Sequence, residues 1–346
     1  MLKVSFNRGF LFMLVATLVL LSMTAPATAQ GGRLEIIKQR GKLICGVNGG
    51  LPGFSYLDEK TGQFTGFDAD YCRVVAAAIF GDPEAVEFRP LSTKERSVAL
   101  QTGEIDVLIR NTTWTISRDA SWGNFAPTTF YDGQGMMVHK ELGAKTLEDL
   151  EGATICVQTG TTTELNLTDQ MRARGVEFQP LVFEEIDPTY TAYEEGRCDA
   201  VTSDRSQLAA RRTVFANPED HDILSVVMSK EPLGPVVPHG DEQWFDVVKW
   251  SVYATMEAEE LGISSKNIDE FMGSEDPVVR RLLGLEGELG QELGLSNDFA
   301  VNIIRHVGNY GEIFNRNLGP DTPFMMERGL NDLWKNGGLL YSPPFR

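Results

Sequence analysis

The chain repeats itself. Gly41-Lys-Leu-Ile-Cys45 is answered by Gly152-Ala-Thr-Ile-Cys156. Val86-Glu-Phe-Arg-Pro-Leu91 is answered by Val176-Glu-Phe-Gln-Pro-Leu181, and Gly103-Glu-Ile-Asp-Val-Leu108 by Gly196-Arg-Cys-Asp-Ala-Val201. The matches keep one order. Each is an apolar stretch of strand length, and the segments between them can hold a helix. The pattern predicts two similar βαβαβ units, an α/β class and mostly parallel sheets with right-handed crossovers. Two such lobes with a cleft between them suit closure on a small molecule.

The N-terminus reads as an export signal. Lys3 and Arg8 precede an apolar run, Phe10 to Met23, too short to span a bilayer comfortably. Ala27-Thr28-Ala29 is a small-residue cleavage signal, so cleavage is expected after Ala29. A membrane anchor is the other reading of this run. No later stretch is apolar enough for a membrane helix, so the mature chain is expected in the periplasm without membrane insertion. Residues 30–346 suit about two domains.

The mature chain carries 29 basic and 49 acidic residues, a charge of −20. Such a chain repels nucleic acid and anionic membranes. No CxxC occurs and the four histidines are scattered, so neither a metal site nor a cofactor is expected. Four cysteines, Cys45, Cys72, Cys156 and Cys198, allow three pairings. Export favours disulfides. Cys45–Cys72 and Cys156–Cys198 are favoured because a bridge between lobes would lock the cleft. Four buried free thiols are the alternative.

The first lobe is expected at residues 30–138 and 230–346, the second at 139–229. Gly133–Val138 and Ser229–Pro238 are punctuated by Gly and Pro and are read as the two crossings. Residues 262–346 are a polar helical extension whose default role is packing on the first lobe.

Ligands of open α/β sheets bind beyond the carboxyl ends of the strands. The repeat puts Asn48 opposite Thr159 and Asn111 opposite Asp204 in that position. Arg110-Asn-Thr-Thr-Trp-Thr-Ile-Ser-Arg118 ends a strand, offers hydroxyls and starts a helix. Free N–H groups there attract an anion, and Arg118 can grip a carboxylate with two parallel bonds. The simpler reading is a capped helix with a solvated arginine. Val157-Gln-Thr-Gly-Thr-Thr-Thr-Glu164 offers N–H groups at Thr161 and Thr162, or simply a capping box. Asp204 can receive an ammonium ion, or pair with Arg205 or Arg211. One cation, one anion and several N–H donors match the charge pattern of an α-amino acid.

These residues resemble those of the periplasmic solute-binding proteins of polar amino-acid ABC transporters, with the two-lobed type II fold. The landmarks are Gly66-Phe-Asp-Ala-Asp70, Gly103-Glu-Ile-Asp106, Thr113 to Arg118, Gly160-Thr-Thr162 and Gly196-Arg-Cys-Asp199 running to Asp204. Arg110-Asn-Thr-Thr-Trp-Thr115, Tyr131-Asp-Gly-Gln134 and the extension point to the general L-amino-acid-binding subgroup. The resemblance implies that Arg118 holds the ligand α-carboxylate, with N–H groups of Thr113 and Thr162. It implies that the Thr113 hydroxyl, the Asn111 carbonyl and Asp204 receive the α-ammonium. Asn48 and Phe54 are expected near the ligand side chain. Leu51 and Thr93 stand where relatives carry aromatics, and Asn48 is neutral where cation-selective relatives carry an acid. A neutral, tolerant side-chain pocket follows. The expected protein is a monomeric, non-enzymatic receptor that delivers L-amino acids to a membrane permease. The alternatives are a periplasmic dehydratase on the same fold and a ligand sensor for a membrane signalling protein.

Overall fold

The repeated segments become two mixed sheets, each flanked by helices. The computed structural model describes residues 1–2 and 32–346. The apolar run of the export signal and the cleavage point after Ala29 lie outside the described residues.

Helix α1 (Arg33–Arg40) leads into β1 (Leu43–Val47) and a three-stranded hairpin sheet of β2 (Gly50–Leu51), β3 (Ser55–Asp58) and β4 (Gln63–Thr65). Helix α2 (Phe67–Phe80) follows, ended by Gly81 in the left-handed conformation at φ 68°. Then come β5 (Val86–Pro90), α3 (Glu95–Gln101), β6 (Val107–Leu108), α4 (Ile116–Ser121) and β7 (Asn124–Phe125). Strand β8 (Phe130–Asp132) crosses to the second lobe. That lobe contains β9 (Gln134–His139), β10 (Thr154–Gln158), α5 (Thr162–Arg174), β11 (Gln179–Phe183), α6 (Ile186–Glu194), β12 (Ala200–Asp204), α7 (Arg205–Arg212) and β13 (His221–Ile223). Strand β14 (Glu231–Leu233) returns to β15 (Val236–Val237) and the long helix α8 (Glu242–Glu260).

The first sheet has the order β5-β1-β6-β15-β7 and the second β11-β10-β12-β9-β13. In each, the fourth strand runs against its neighbours. That strand is the first one after a crossing, so each lobe is completed by chain arriving from the other. Strands β8 and β14 pair antiparallel and form the two-stranded hinge. This corrects the expected first crossing. Met136, Met137 and Val138 are fully buried and β9 hydrogen-bonds to β12, so of Gly133–Val138 only Gly133 is left to the crossing. The second sheet begins at Gln134, before the expected boundary at residue 139.

The repeat also drifts in register. Cys45 lies beside Val107, whereas Ile155, not Cys156, lies beside Ala200. Phe178 lies outside β11, so the Val86 and Val176 segments are not structural counterparts. A shift of one residue turns a side chain to the other face of a sheet. Cys45 accordingly meets Cys72 on α2, while Cys156 meets Cys198 just before β12.

The C-terminal extension packs on the first lobe through α9 (Ile268–Phe271), α10 (Pro277–Leu282), α11 (Leu289–Glu292), α12 (Phe299–His306) and α13 (Tyr310–Asn317). Tyr310 and Phe314 enter an aromatic cluster with Phe67 and Phe130, edge-on or stacked at centroid distances of 5.7 to 6.4 Å. Arg316 and Asn317 both donate to Asp70 on α2, at 2.7 and 2.6 Å.

Both disulfides stay within a lobe and close sequence separations of 27 and 42 residues. Loop closure of that size restrains the unfolded chain by about 3–4 kcal/mol each. The double substitution Cys156→Ser, Cys198→Ser should therefore lower the unfolding free energy by about 3 kcal/mol in urea titrations. No change would show that the second bridge is absent from the purified protein.

Candidate functional site

Three arginines converge where the first sheet ends. Arg118 lies on α4, whose start is capped by Thr115, the hydroxyl accepting from Arg118 N at 3.3 Å. Its guanidinium donates to Thr113 O at 3.1 Å and sits 4.8 Å from the Trp122 ring centroid. Arg110 follows β6 and donates from Nε to Leu91 O at 2.9 Å. Arg96 lies on α3, donates to Thr112 Oγ1 at 3.3 Å and Gly160 O at 3.5 Å, and covers the same Trp122 ring at 5.4 Å. Its Nε has no partner. All three are buried, at 3 to 7% exposure, and none forms an ion pair among the described residues. Burial pulls the guanidinium pKa of each downward, that of Arg110 to about 10.

Carboxylates gather on the other side. Asp204 ends β12 and is 5% exposed. Asp132 and Glu231 face each other in the hinge ribbon. The Glu231 carboxylate opposite disfavours ionisation of Asp132. Burial raises the pKa of Asp204 well above the usual range, and Asp132 and Glu231 add to the rise. Burial lifts Asp132 to about 6. Glu231 is held by donors instead, Thr162 Oγ1 at 3.1 Å and Asn166 Nδ2 at 2.9 Å.

Asn111 stands between the two groups with φ 28°, a left-handed conformation that a non-glycine residue adopts at a cost. Asp68, from the Gly66-Phe-Asp motif, accepts its backbone N–H at 2.8 Å and holds it there. Burial raises Asp68 to about 6, offset in part by this bond and by Arg110.

The lobes touch across the cleft. Thr93 Oγ1 donates to Thr159 O at 2.8 Å, and Asn111 Nδ2 donates to Gln207 Oε1 at 3.0 Å. The hydroxyls of Thr113 and Thr162 are 3.3 Å apart. Arg211 reaches from α7 to Gly50 O at 3.0 Å, and Lys94 pairs with Glu184 at 2.9 Å. Between them lies a small polar cavity of about 30 Å³, walled by the three arginines, Asn111, Thr113 and Thr93 on one side. Asp204, Gln207, Ser203, Gln158, Thr161 and Thr162 form much of the other.

Six sequence-derived residues thus share one cavity: Asn111, Thr113, Arg118, Thr161, Thr162 and Asp204. Asn48 stands behind the wall and donates from Nδ2 to Asn111 Oδ1 at 3.3 Å. Phe54 is a correction. It is fully buried in the first lobe's core against Phe67 and Phe130, away from the cavity, because the hairpin turns its ring inward. Thr161 does cap α5, accepting from Glu164 N at 3.1 Å, while Glu164 accepts from Gly160 N at 2.9 Å. Gly160 has φ 72°, which brings the loop against Thr93.

Arg96, Gln158 and Gln207 escaped the sequence reading. Arg96 had a usable signal, since it shares its buried helix face with Ala99 and Leu100. Gln158 was missed by one residue, because the register drift makes it, and not Thr159, the counterpart of Asn48. Among the described residues no group of His, Cys, Asp and Glu is arranged to hold a metal ion.

Asp68 supplies a pH test. Its folded pKa near 6 exceeds the unfolded value near 4, so the folded state holds an extra proton between those pH values. Its contribution to stability therefore grows as pH falls through 6. His221 works the other way, its pKa lowered by burial and by His139. The comparison must be differential. Relative to the parent, Asp68→Asn should lose roughly 1–3 kcal/mol of the stability gained between pH 7.5 and pH 5, by urea unfolding. Equal pH slopes would contradict this.

The comparisons with known proteins agree with this architecture. The model of the bacterial extracellular solute-binding proteins, family 3, matches residues 43–268. The general L-amino acid-binding periplasmic protein AapJ of Rhizobium johnstonii is 51% identical over 323 residues, covering 92% of this chain and 94% of that protein. The glutamate/glutamine/aspartate/asparagine-binding protein BztA of Rhodobacter capsulatus is 48% identical over 330 residues, 95% of this chain and 97% of its own. Among solved structures, a periplasmic binding protein of an ABC transporter from Brucella ovis, with glutathione bound, superimposes with a TM-score of 0.89. It is 52% identical and covers 91% of this chain and 99% of its own. The chain therefore belongs to the bacterial extracellular solute-binding proteins, family 3, with their two-lobed periplasmic-binding fold.

Proposed function

We propose that this chain is an exported, non-enzymatic receptor that closes on L-amino acids and delivers them to the permease of an ABC transporter. The observation that carries this is the charge-separated cavity between the lobes, with Arg118 on one side and Asp204 on the other. An α-carboxylate set against Arg118 and the N–H groups of Thr113 and Thr162 would give the buried cation its missing partner. An α-ammonium set against Asp204, with the Thr113 hydroxyl and the Asn111 carbonyl, would separate Asp204 from the repulsion of Asp132 and Glu231. AapJ is a general L-amino acid-binding protein and BztA a glutamate/glutamine/aspartate/asparagine-binding protein, which supports an amino-acid class.

The side-chain end is polar and adaptable, built from Asn111, Gln207 and Thr93 with Asn48 behind. Arg96, unforeseen, extends the class from neutral to acidic and amide side chains, because its Nε is free to donate. Engulfment fits the energetics. Micromolar binding takes about −8 kcal/mol. A ligand of about ten heavy atoms has a ceiling near −1.5 kcal/mol per atom, so it needs contacts from both lobes.

Arg118→Ala should weaken amino-acid binding by ~3 kcal/mol or more in calorimetry, and Arg118→Lys should recover only part, since an ammonium lacks the planar fork. Near-parent affinity in Arg118→Ala would refute the assignment. Affinity should also depend on pH in a fixed direction. Asp204 takes up a proton readily, and a bound ammonium would expel it, so affinity should fall as pH drops from 8 to 5. Affinity that rises on acidification would place the ammonium elsewhere.

A further inference from the structure

Strand β8 leaves the first lobe for the second, and the C-terminal extension holds its outer edge. Asn331 Oδ1 accepts from Tyr131 N at 2.6 Å, and Asn331 Nδ2 donates to Tyr131 O at 3.1 Å. A carboxamide presents a donor and an acceptor as a peptide group does, so Asn331 pairs with Tyr131 as one residue of an added strand would. Tyr131 needs this partner. Tyr131 and Pro232 face each other as a non-hydrogen-bonded pair, with Pro232 O turned to the opposite edge, so the Tyr131 N–H and C=O point away from β14. Just upstream, the Tyr310 hydroxyl donates to Thr129 O at 2.8 Å. On the opposite edge of the ribbon, Trp114 N donates to Pro232 O at 2.8 Å.

Asn331 is itself fixed. Arg328 Nε donates to Asn331 O at 2.7 Å. The Arg328 guanidinium grips Glu259 on α8 through two bonds of 3.0 and 3.1 Å. Asn331 is 5% exposed, so losing its amide would leave part-buried backbone groups of the hinge without partners.

We infer that Asn331 is a positioning residue for ligand binding: it clamps the crossing strand to the first lobe as far as Tyr131 and confines lobe rotation to the residues beyond. Asp132 and Gly133 are those residues, since Gln134 is already paired in the second sheet. Gly133 passes close to the return crossing, where a Cβ would meet Ser229 O at 3.0 Å. A two-stranded ribbon alone is marginally stable in water. The clamp narrows the orientations available to the lobes, so less freedom is lost when they close. This consequence for affinity rests on the amino-acid-receptor reading; the restraint on the hinge does not.

The test uses the full mature chain, L-glutamine in calorimetry, and small-angle scattering without ligand. Asn331→Leu removes both bonds at similar volume, and Asn331→Asp sets a carboxylate against Tyr131 O. Both should weaken L-glutamine about three- to tenfold and enlarge the radius of gyration. Tyr310→Phe removes a single hydroxyl and should shift both readouts the same way by less. Arg118→Ala should lose binding with the parent's radius of gyration. A parent that binds no amino acid would sink the receptor reading and leave the scattering comparison intact. Parent-like affinity and radius in Asn331→Leu and Tyr310→Phe, with only a lower Tm, would overturn the clamp. If the Asn331 variants do not fold, Tyr310→Phe decides by the same two readouts.

Discussion

Buried charge without a protein partner is the constraint on which this molecule turns. Arg96, Arg110 and Arg118 lie at 3 to 7% exposure with no carboxylate in ion-pair reach among the described residues. Asp204 lies just as deep on the facing lobe, beside two further carboxylates. Taking such charges out of water costs several kcal/mol per ion unless something pairs them. A fold could remove the cost by pairing the two groups directly. This one holds them apart across a polar cavity, with Asp68 and the strained Asn111 fixing the gap. In the proposed reading, a zwitterion of matching length would complete both sides at once.

The topology makes that gap adjustable. Each sheet takes its fourth strand from chain that has just crossed from the other lobe. The hinge is therefore continuous with both sheets, and the cavity lies beside it. Asp132 and Glu231 belong to the hinge ribbon and also raise the pKa of Asp204. Charge in the cavity and the hinge ribbon are thus linked through two residues. The C-terminal extension grips the same ribbon from outside through Asn331 and Tyr310.

Much of this was legible in the sequence because strands at a sheet's carboxyl edge place chemistry in a known position. The internal repeat predicted two lobes, and strand ends gave Asn111, Arg118 and Asp204. What the sequence hid follows from the fineness of the signals. A match of letters does not fix register, so Cys45 and Cys156 looked equivalent although they lie one residue apart in the two sheets. Glycine in Gly133–Val138 read as a linker, while the burial of Met136 to Val138 made it a central strand. Phe54 was expected near the ligand side chain from the family resemblance, but a tight hairpin turned it into the core. Arg96 was legible only as a charge on an apolar helix face. The pairing of Asn331 with Tyr131, 200 residues away in sequence, leaves no local trace at all.

The most direct measurement is a calorimetric comparison of one L-amino acid with analogues that each lack one charge: its decarboxylated amine, its methyl ester and its N-acetyl derivative. If the cavity pairs Arg118 with a carboxylate and Asp204 with an ammonium, all three analogues should bind at least a hundredfold more weakly than the parent amino acid, ~2.7 kcal/mol or more. The ester and the amine should fail because Arg118 stays unpaired, and the N-acetyl compound because Asp204 does. Any of the three binding as tightly as the amino acid itself would contradict the charge-separated cavity as the recognition element.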